Sequence, residues 1–195
     1  MKFFIATKNA HKVIEFKRIL EPMGIEVLCE SDLPFSLPDV EEDGTTFEEN
    51  ATIKAAFACE KTGMVSLADD SGLCVDALDG APGIFSARYS GVHGDDKENN
   101  RKLLRELEGV PYEKRTARFV SAVACVFPDG RKFTVTGKCE GHIDFEEKGE
   151  NGFGYDPLFV GEIGCFGLAS GEEKDKVSHR GKALVMLRDE LKNYI

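Results

Sequence analysis

The feature that most constrains the fold is a repeated switch between strand-like and helix-like apolar spacing. Residues 2–6 form a short apolar run, which passes through Thr7-Lys8-Asn9 into a stretch where Val13, Ile14, Phe16, Ile19 and Leu20 approximate one helical face. Pro22 and Gly24 stop that helix, and residues 25–28 read as a second strand. A loop over 31–45 holds Pro34, Pro38 and Gly44. Thr46-Phe47-Glu48-Glu49 is then a capping-box pattern that opens an Ala-rich helix to about Lys61. Residues 64–68 predict a strand ending at Asp69-Asp70-Ser71-Gly72, and 73–78 a further strand before a tight turn at Asp79-Gly80-Ala81-Pro82-Gly83. A third helix is expected over 95–108 and a last one over 178–193. The β-rich runs 118–127 and 132–140 flank Pro128-Asp129-Gly130, a hairpin signal. Strands alternating with helices, followed by a hairpin, predict an α/β fold with a mixed sheet, as a single domain over 1–195.

A chain of 195 residues buries roughly 70% of the surface its unfolded form exposes, so it needs no structural metal and any metal it binds serves chemistry. The six cysteines show no CxxC pair and read as reduced core residues. The apolar start is too short for a signal peptide, and no stretch approaches the ~20 apolar residues of a membrane span. The cytoplasm is therefore the expected compartment. With 25 Lys and Arg against 35 Asp and Glu, the net charge of −10 argues against nucleic acid or an anionic membrane as a partner. A small polyphosphate then has to be met by local cations, backbone N–H groups or a bound divalent ion.

Several clusters could meet it. Thr7, Lys8, Asn9, Ala10, His11 and Lys12 fall between a strand and a helix, where N–H groups and the helix dipole favour an anion. Taken alone, Asn9 is equally a cap and the lysines are equally solvated. Asp69 and Asp70 put two carboxylates beside each other, with Ser71 next. They suit Mg²⁺, a hard cation with oxygen ligands whose bound water can become a nucleophile, although a lone Asp-Asp-Ser-Gly is more often a plain turn. Glu41-Glu42-Asp43 is a second acidic group, either a solvated loop face or a source of one further metal ligand. In Gly152-Phe153-Gly154-Tyr155-Asp156-Pro157 the glycines allow close approach, the aromatics offer a stacking surface and Asp156 an acceptor. Core aromatics in a hairpin explain the same residues. Ser178-His179-Arg180 begins the last helix, with Lys174 shortly before it; by themselves Ser178 reads as an N-cap and His179 and Arg180 as first-turn surface residues. The chain lacks the GxxxxGK[ST] of a P-loop and the GxSxG of a serine hydrolase.

Taken together, the segments resemble the inosine triphosphate pyrophosphatase family of HAM type. They stand in family order: 5–9 with Lys12, 46–51, 68–73, 80–89, 152–157, and Glu173-Lys174 followed by 178–180. The resemblance implies a two-lobed α/β fold around a long mixed β-sheet with flanking helices and an active site in the cleft, a homodimer, and Mg²⁺ as cofactor. It implies hydrolysis of ITP, dITP and XTP to the monophosphate and pyrophosphate, which keeps deaminated bases out of nucleic acid. By position, residues 7–12 would hold phosphates. Asp70 would be proton acceptor and metal ligand, with Glu41 or Glu42 as another ligand and Asp69 assisting. Ser71 would touch substrate, Phe153, Gly154, Tyr155 and Asp156 would hold base and sugar, Lys174 would reach phosphate, and His179 and Arg180 would meet the purine edge. The chain departs from the family pattern at Lys8 and over 160–167. A Maf-like pyrophosphatase of modified pyrimidine nucleotides and a nucleotide-binding module without turnover are the rival readings.

Overall fold

In the computed structural model, which describes residues 1–194, seven strands hydrogen-bond in the order β2-β1-β3-β4-β5-β6-β7. They are β1 (Lys2–Ile5), β2 (Glu26–Leu28), β3 (Ser66–Val75), β4 (Thr116–Val126), β5 (Lys132–Ile143), β6 (Phe159–Gly161) and β7 (Gly164–Cys165). β1 runs parallel to β2 and β3, whereas β6 is antiparallel to β5 and to β7, so the sheet is mixed. The helices are α1 (Ala10–Leu20), α2 (Phe47–Thr62), α3 (Asp96–Glu106), α4 (Gly171–Val177) and α5 (His179–Leu191). The chain forms two compact units, the first from Met1–Asp70, Ser121–Gly137 and Arg180–Ile195, the second from Ser71–Val120 and Lys138–His179. Each has its own core.

In the first unit the period of two along the strands sorts side chains onto two faces. Phe3, Ile5, Leu67, Val123 and Cys125 pack with Phe16 and Leu20 of α1 and Leu184 and Leu187 of α5. The alternate residues Ala68, Ala122 and Ala124 meet Ala51, Ala55 and Cys59 of α2. Alanine on both sides of that contact is what an Ala-rich helix is for: its backbone can lie close to the sheet. The second unit packs Leu73, Val75, Leu103, Leu107, Phe119, Tyr155, Phe159 and Phe166 together.

The predicted capping box is formed. Thr46 Oγ1 accepts the Glu49 N–H at 3.1 Å, and Glu49 Oε2 accepts those of Thr46 and Thr45 at 3.2 and 2.7 Å. Thr46→Ala should lower stability by about 1 kcal/mol. Chemical denaturation would show this as an earlier midpoint with unchanged slope.

The structure differs from the sequence expectation at Asp69-Asp70-Ser71-Gly72, which lies in the middle of β3 instead of ending it. The turn preference of Asp-Ser-Gly is overridden because β3 continues as the neighbour of β4 past the end of β1, and Asp69 is held by buried partners. What does end nearby is β1, whose last parallel pairing joins Ile5 to Leu67. The carboxylates therefore lie just past the end of the parallel pair. Residues 76–78, expected as strand, form a 3₁₀ turn instead, and α4, opened by Ser170 and Glu173 as a second capping box, was not foreseen.

Candidate active site

Because Asp69 and Asp70 are consecutive in a strand, they point to opposite faces and enter different environments. Asp69 follows Leu67 onto the face of α1 and α5. There its Oδ2 accepts Lys12 Nζ at 2.6 Å and an Arg180 guanidinium nitrogen at 3.1 Å, while its Oδ1 takes the hydroxyl of Ser121. The other terminal nitrogen of Arg180 is bound to Glu15. Lys12 and Glu15 are three apart on α1 and so share a face. The result is a buried network of two carboxylates and two cations, with Asp69 and Arg180 each 1% exposed. Burial alone would raise the Asp69 carboxyl, but Arg180 and Lys12 outweigh it and hold the group well below the usual carboxylate range. Asp69 is ionised and fully engaged.

Asp70 follows Ala68 toward α2. Its Oδ1 accepts Lys54 Nζ at 3.2 Å, and the same ammonium lies 2.9 Å from Glu42 Oε2. Its Oδ2 is buried with no hydrogen-bond partner. Burial pushes the Asp70 carboxyl up, with Glu42 and Asp69 adding to the rise and Lys54 and Lys12 opposing it. Lys54 keeps its charge: burial disfavours it, but Asp70 and Glu42 together raise its affinity for the proton. Glu42 owes its position to the start of α2, where buried Asn50 accepts the Gly44 N–H at 2.9 Å and Glu49 binds Thr45. A raised, buried carboxylate with one open oxygen is the arrangement of a proton acceptor or a metal ligand.

Among the described residues no group of three or more His, Cys, Asp or Glu side chains is arranged around a metal position. The donor set nevertheless fits a hard divalent cation that keeps several waters: the open Oδ2 of Asp70 and the carboxylate of Glu42, both on Lys54. Glu41 is exposed, and it is Glu42 whose carboxylate reaches Lys54.

At the β1–α1 junction, Asn9 caps α1 by accepting the Lys12 N–H at 3.2 Å, and Thr7 Oγ1 accepts the Asn9 N–H at 3.2 Å. Ala10 and His11 are exposed in the first turn. Lys8 reaches Asp39 at 2.6 Å on the surface, which ties this junction to the acidic loop.

The second unit carries its own polar cluster. Asp156, 2% exposed, accepts the Phe153 N–H at 2.9 Å and Lys174 Nζ at 2.6 Å through Oδ2. A Cβ at Gly152 would come within 2.1 Å of that oxygen, so glycine is required there for the carboxylate to close on the loop. Lys174 lies 4.8 Å from the centre of the Phe153 ring. Tyr155 is buried, and its hydroxyl donates to the Ser86 carbonyl at 2.8 Å. His179 is buried and stacked on Phe119, with ring centres 4.7 Å apart and planes 14° from parallel. Ser71 is half-buried immediately after Asp70.

Of the site residues singled out in the sequence, Lys12, Asp69 and Arg180 come together on one face of β3, Glu42 and Asp70 meet through Lys54 on the other, and Phe153, Asp156 and Lys174 form a separate cluster in the second unit. Arg180 sits against Glu15 and Asp69 on the far side of β3 from Asp70. Sequence reasoning missed Lys54, Glu15, Ser121 and Asp39. Two of these had a visible signal: Lys54 stands among the alanines of the buried face of α2, and Glu15 stands among the apolar residues of α1. A charge on an apolar face asks for a buried partner.

Residues 3–190 match the model of the Ham1 family. The chain is similar to the dITP/XTP pyrophosphatase of Geobacter sulfurreducens, with 50% identity over 192 residues, 97% of this chain and 96% of that protein. It is 53% identical to the dITP/XTP pyrophosphatase of Desulforamulus reducens over 186 residues, 94% of this chain and 92% of that protein. The solved structure of a HAM1 protein from Coxiella burnetii matches with a TM-score of 0.87 at 38% identity, covering 99% of each chain.

Proposed function

The chain belongs to the Ham1 family, and from that premise we propose how its residues carry out the reaction named for its relatives. It hydrolyses deaminated purine nucleoside triphosphates, dITP and XTP among them, to the monophosphate and pyrophosphate, and so cleanses the nucleotide pool. It is a hydrolase of phosphoanhydride bonds.

The observation that carries the mechanism is the open, buried Oδ2 of Asp70 on a carboxyl raised by its surroundings. Asp70 removes a proton from the attacking water; the water oxygen bonds to the α-phosphorus, the α–β anhydride bond breaks, and pyrophosphate leaves. Asp70 and Glu42 would hold Mg²⁺, which when bound would neutralise triphosphate charge and lower the pKa of its waters. Lys54 steadies both carboxylates against their mutual repulsion. Asp69 is a positioning residue: anchored by Lys12, Ser121 and Arg180, it fixes the strand from which Asp70 projects. Residues 7–12 bind phosphates at the N-terminal end of α1, where the helix dipole favours an anion and Lys8 adds charge, and Lys174 is a further phosphate contact. Phe153 stacks on the base, and Asp156, held by Lys174 and the Phe153 N–H, sets the loop that receives base and sugar. His179 and Ser71 complete the substrate contacts. Arg180 acts from beneath, through Asp69.

The test is pyrophosphate release from ITP, XTP, dITP, GTP, ATP and dUTP, each with Mg²⁺ or with EDTA. Magnesium-dependent release from the 6-keto purines at least ~100-fold faster than from ATP, a difference of about 2.7 kcal/mol in transition-state binding, is the expected result. Preference for dUTP would remove the base assignment, and equal rates in EDTA would remove the metal. The family resemblance supports a homodimer, and no helix among the described residues is long and apolar enough to cross a membrane.

A further inference from the structure

Helix α3 has no part in the roles above, yet two of its side chains grip the middle of the 152–157 loop. Asp96 and Asn100 are four apart, so they lie on one face of the helix. Asp96 Oδ2 accepts the Gly154 N–H at 2.8 Å, and Asn100 Nδ2 donates to the Gly154 carbonyl at 3.2 Å. Together these bonds hold the peptide planes on both sides of a residue at φ +61°, a conformation that glycine adopts easily and leaves easily. Asn100 is 3% exposed, and its Oδ1 is buried with no partner. An amide kept in the core with half its hydrogen-bonding capacity unmet is a poor choice for stability alone. The neighbouring Asn99 accepts the Ser90 N–H at 2.7 Å, and so holds the 86–90 segment whose Ser86 carbonyl receives the Tyr155 hydroxyl. One turn of α3 thus reaches the loop both directly and through Tyr155.

We propose that Asp96 and Asn100 are positioning residues for substrate: by clamping Gly154 they set Phe153 and Asp156 for the nucleoside. The inference rests on the nucleoside-binding role given to this loop above. Asp96 is exposed in the first turn of α3, whose N-cap is Asp95, so Asp96→Ala removes the clamp without opening the core. Asp96→Asn keeps an acceptor oxygen for the Gly154 N–H. Asn100→Asp keeps the shape but turns an acceptor toward the Gly154 carbonyl.

The chain contains no tryptophan, so Phe153→Trp installs a single fluorescent reporter on the loop. In that background, Asp96→Ala and Asn100→Asp should move the emission to longer wavelength, and Asp96→Asn should leave it in place. With Phe153 retained, Asp96→Ala and Asn100→Asp should raise the KM for ITP about tenfold, as expected for one lost hydrogen bond, with kcat within about twofold. Asp96→Asn should restore KM. Unchanged emission in both disruptive variants would overturn the clamp whatever the kinetics do. A shifted emission with unchanged KM would overturn the link to substrate. If the parent protein released no pyrophosphate from any nucleotide, the functional reading itself would have failed, and the emission arm would still decide whether Gly154 is held from α3.

Discussion

Asp70→Asn lowers the rate of pyrophosphate release from ITP by roughly 10³-fold, in the range expected for loss of a general base, and leaves melting nearly unchanged. The amide cannot take a proton from water and is a poor ligand for a hard cation, so both proposed roles are lost in one substitution. Stability is spared for a reason of sign. The folded carboxyl binds its proton more tightly than the unfolded one, chiefly because it is buried, so above its folded pKa the ionised group costs stability. An amide of the same shape removes that cost, and Lys54 keeps Glu42 as partner. A purified variant that melts within about 3 °C of the parent but retains more than a tenth of its kcat would remove Asp70 from the mechanism. Burst and steady-state phases measured together would exclude a masked effect of slow product release.

Arg180→Met has the largest expected effect on stability. It removes one cation from a buried set of four charges, and so takes the guanidinium away from both Glu15 and Asp69. Breaking a buried pair on one side costs about 3–5 kcal/mol, which corresponds to a fall in Tm on the order of 10 °C for a protein of this size. The loss should depend on pH. In the parent, Asp69 contributes stability above the ordinary carboxylate pKa and loses it only as pH falls through its much lower folded value. In the variant burial is less opposed, the carboxyl rises, and its protonation on acidification relieves the unpaired charge. The gap in Tm between parent and variant should therefore narrow from pH 8 to pH 5. Adding Glu15→Gln to Arg180→Met should recover part of the loss, and strict additivity of the two changes would show that Arg180 and Glu15 are not coupled. A Tm equal to that of the parent, with a raised KM for ITP, would move Arg180 out of the core network and onto the substrate.

Helices α1, α2 and α5 were legible in the sequence to within a residue or two, because each combines an apolar face with a boundary signal: Asn9 and Pro22 for α1, the Thr46–Glu49 box for α2. The hairpin at 127–131 and the Gly152–Asp156 loop were legible because proline and glycine restrict the backbone locally. Helix α4 was missed since its seven residues are nearly all charged and show no apolar face. The middle of β3 reads as a turn because Asp, Ser and Gly favour one in isolation, whereas in the fold its neighbour β4 and the helices on both faces hold it extended.

The sequence by itself determined the alternation of elements, the mixed character of the sheet and which carboxylates, lysines and aromatics could carry chemistry, because these follow from periodicity, caps and side-chain type over a few residues. The family resemblance gives Asp70 and Asp69 different roles, but only the tertiary structure shows what physically separates them. The two are identical side chains one position apart, and what divides them is the partners that distant segments bring: Lys12, Ser121 and Arg180 saturate the first, while Lys54 leaves one oxygen of the second open. Burial and charge proximity act through space between residues up to 165 positions apart, and no local pattern encodes them.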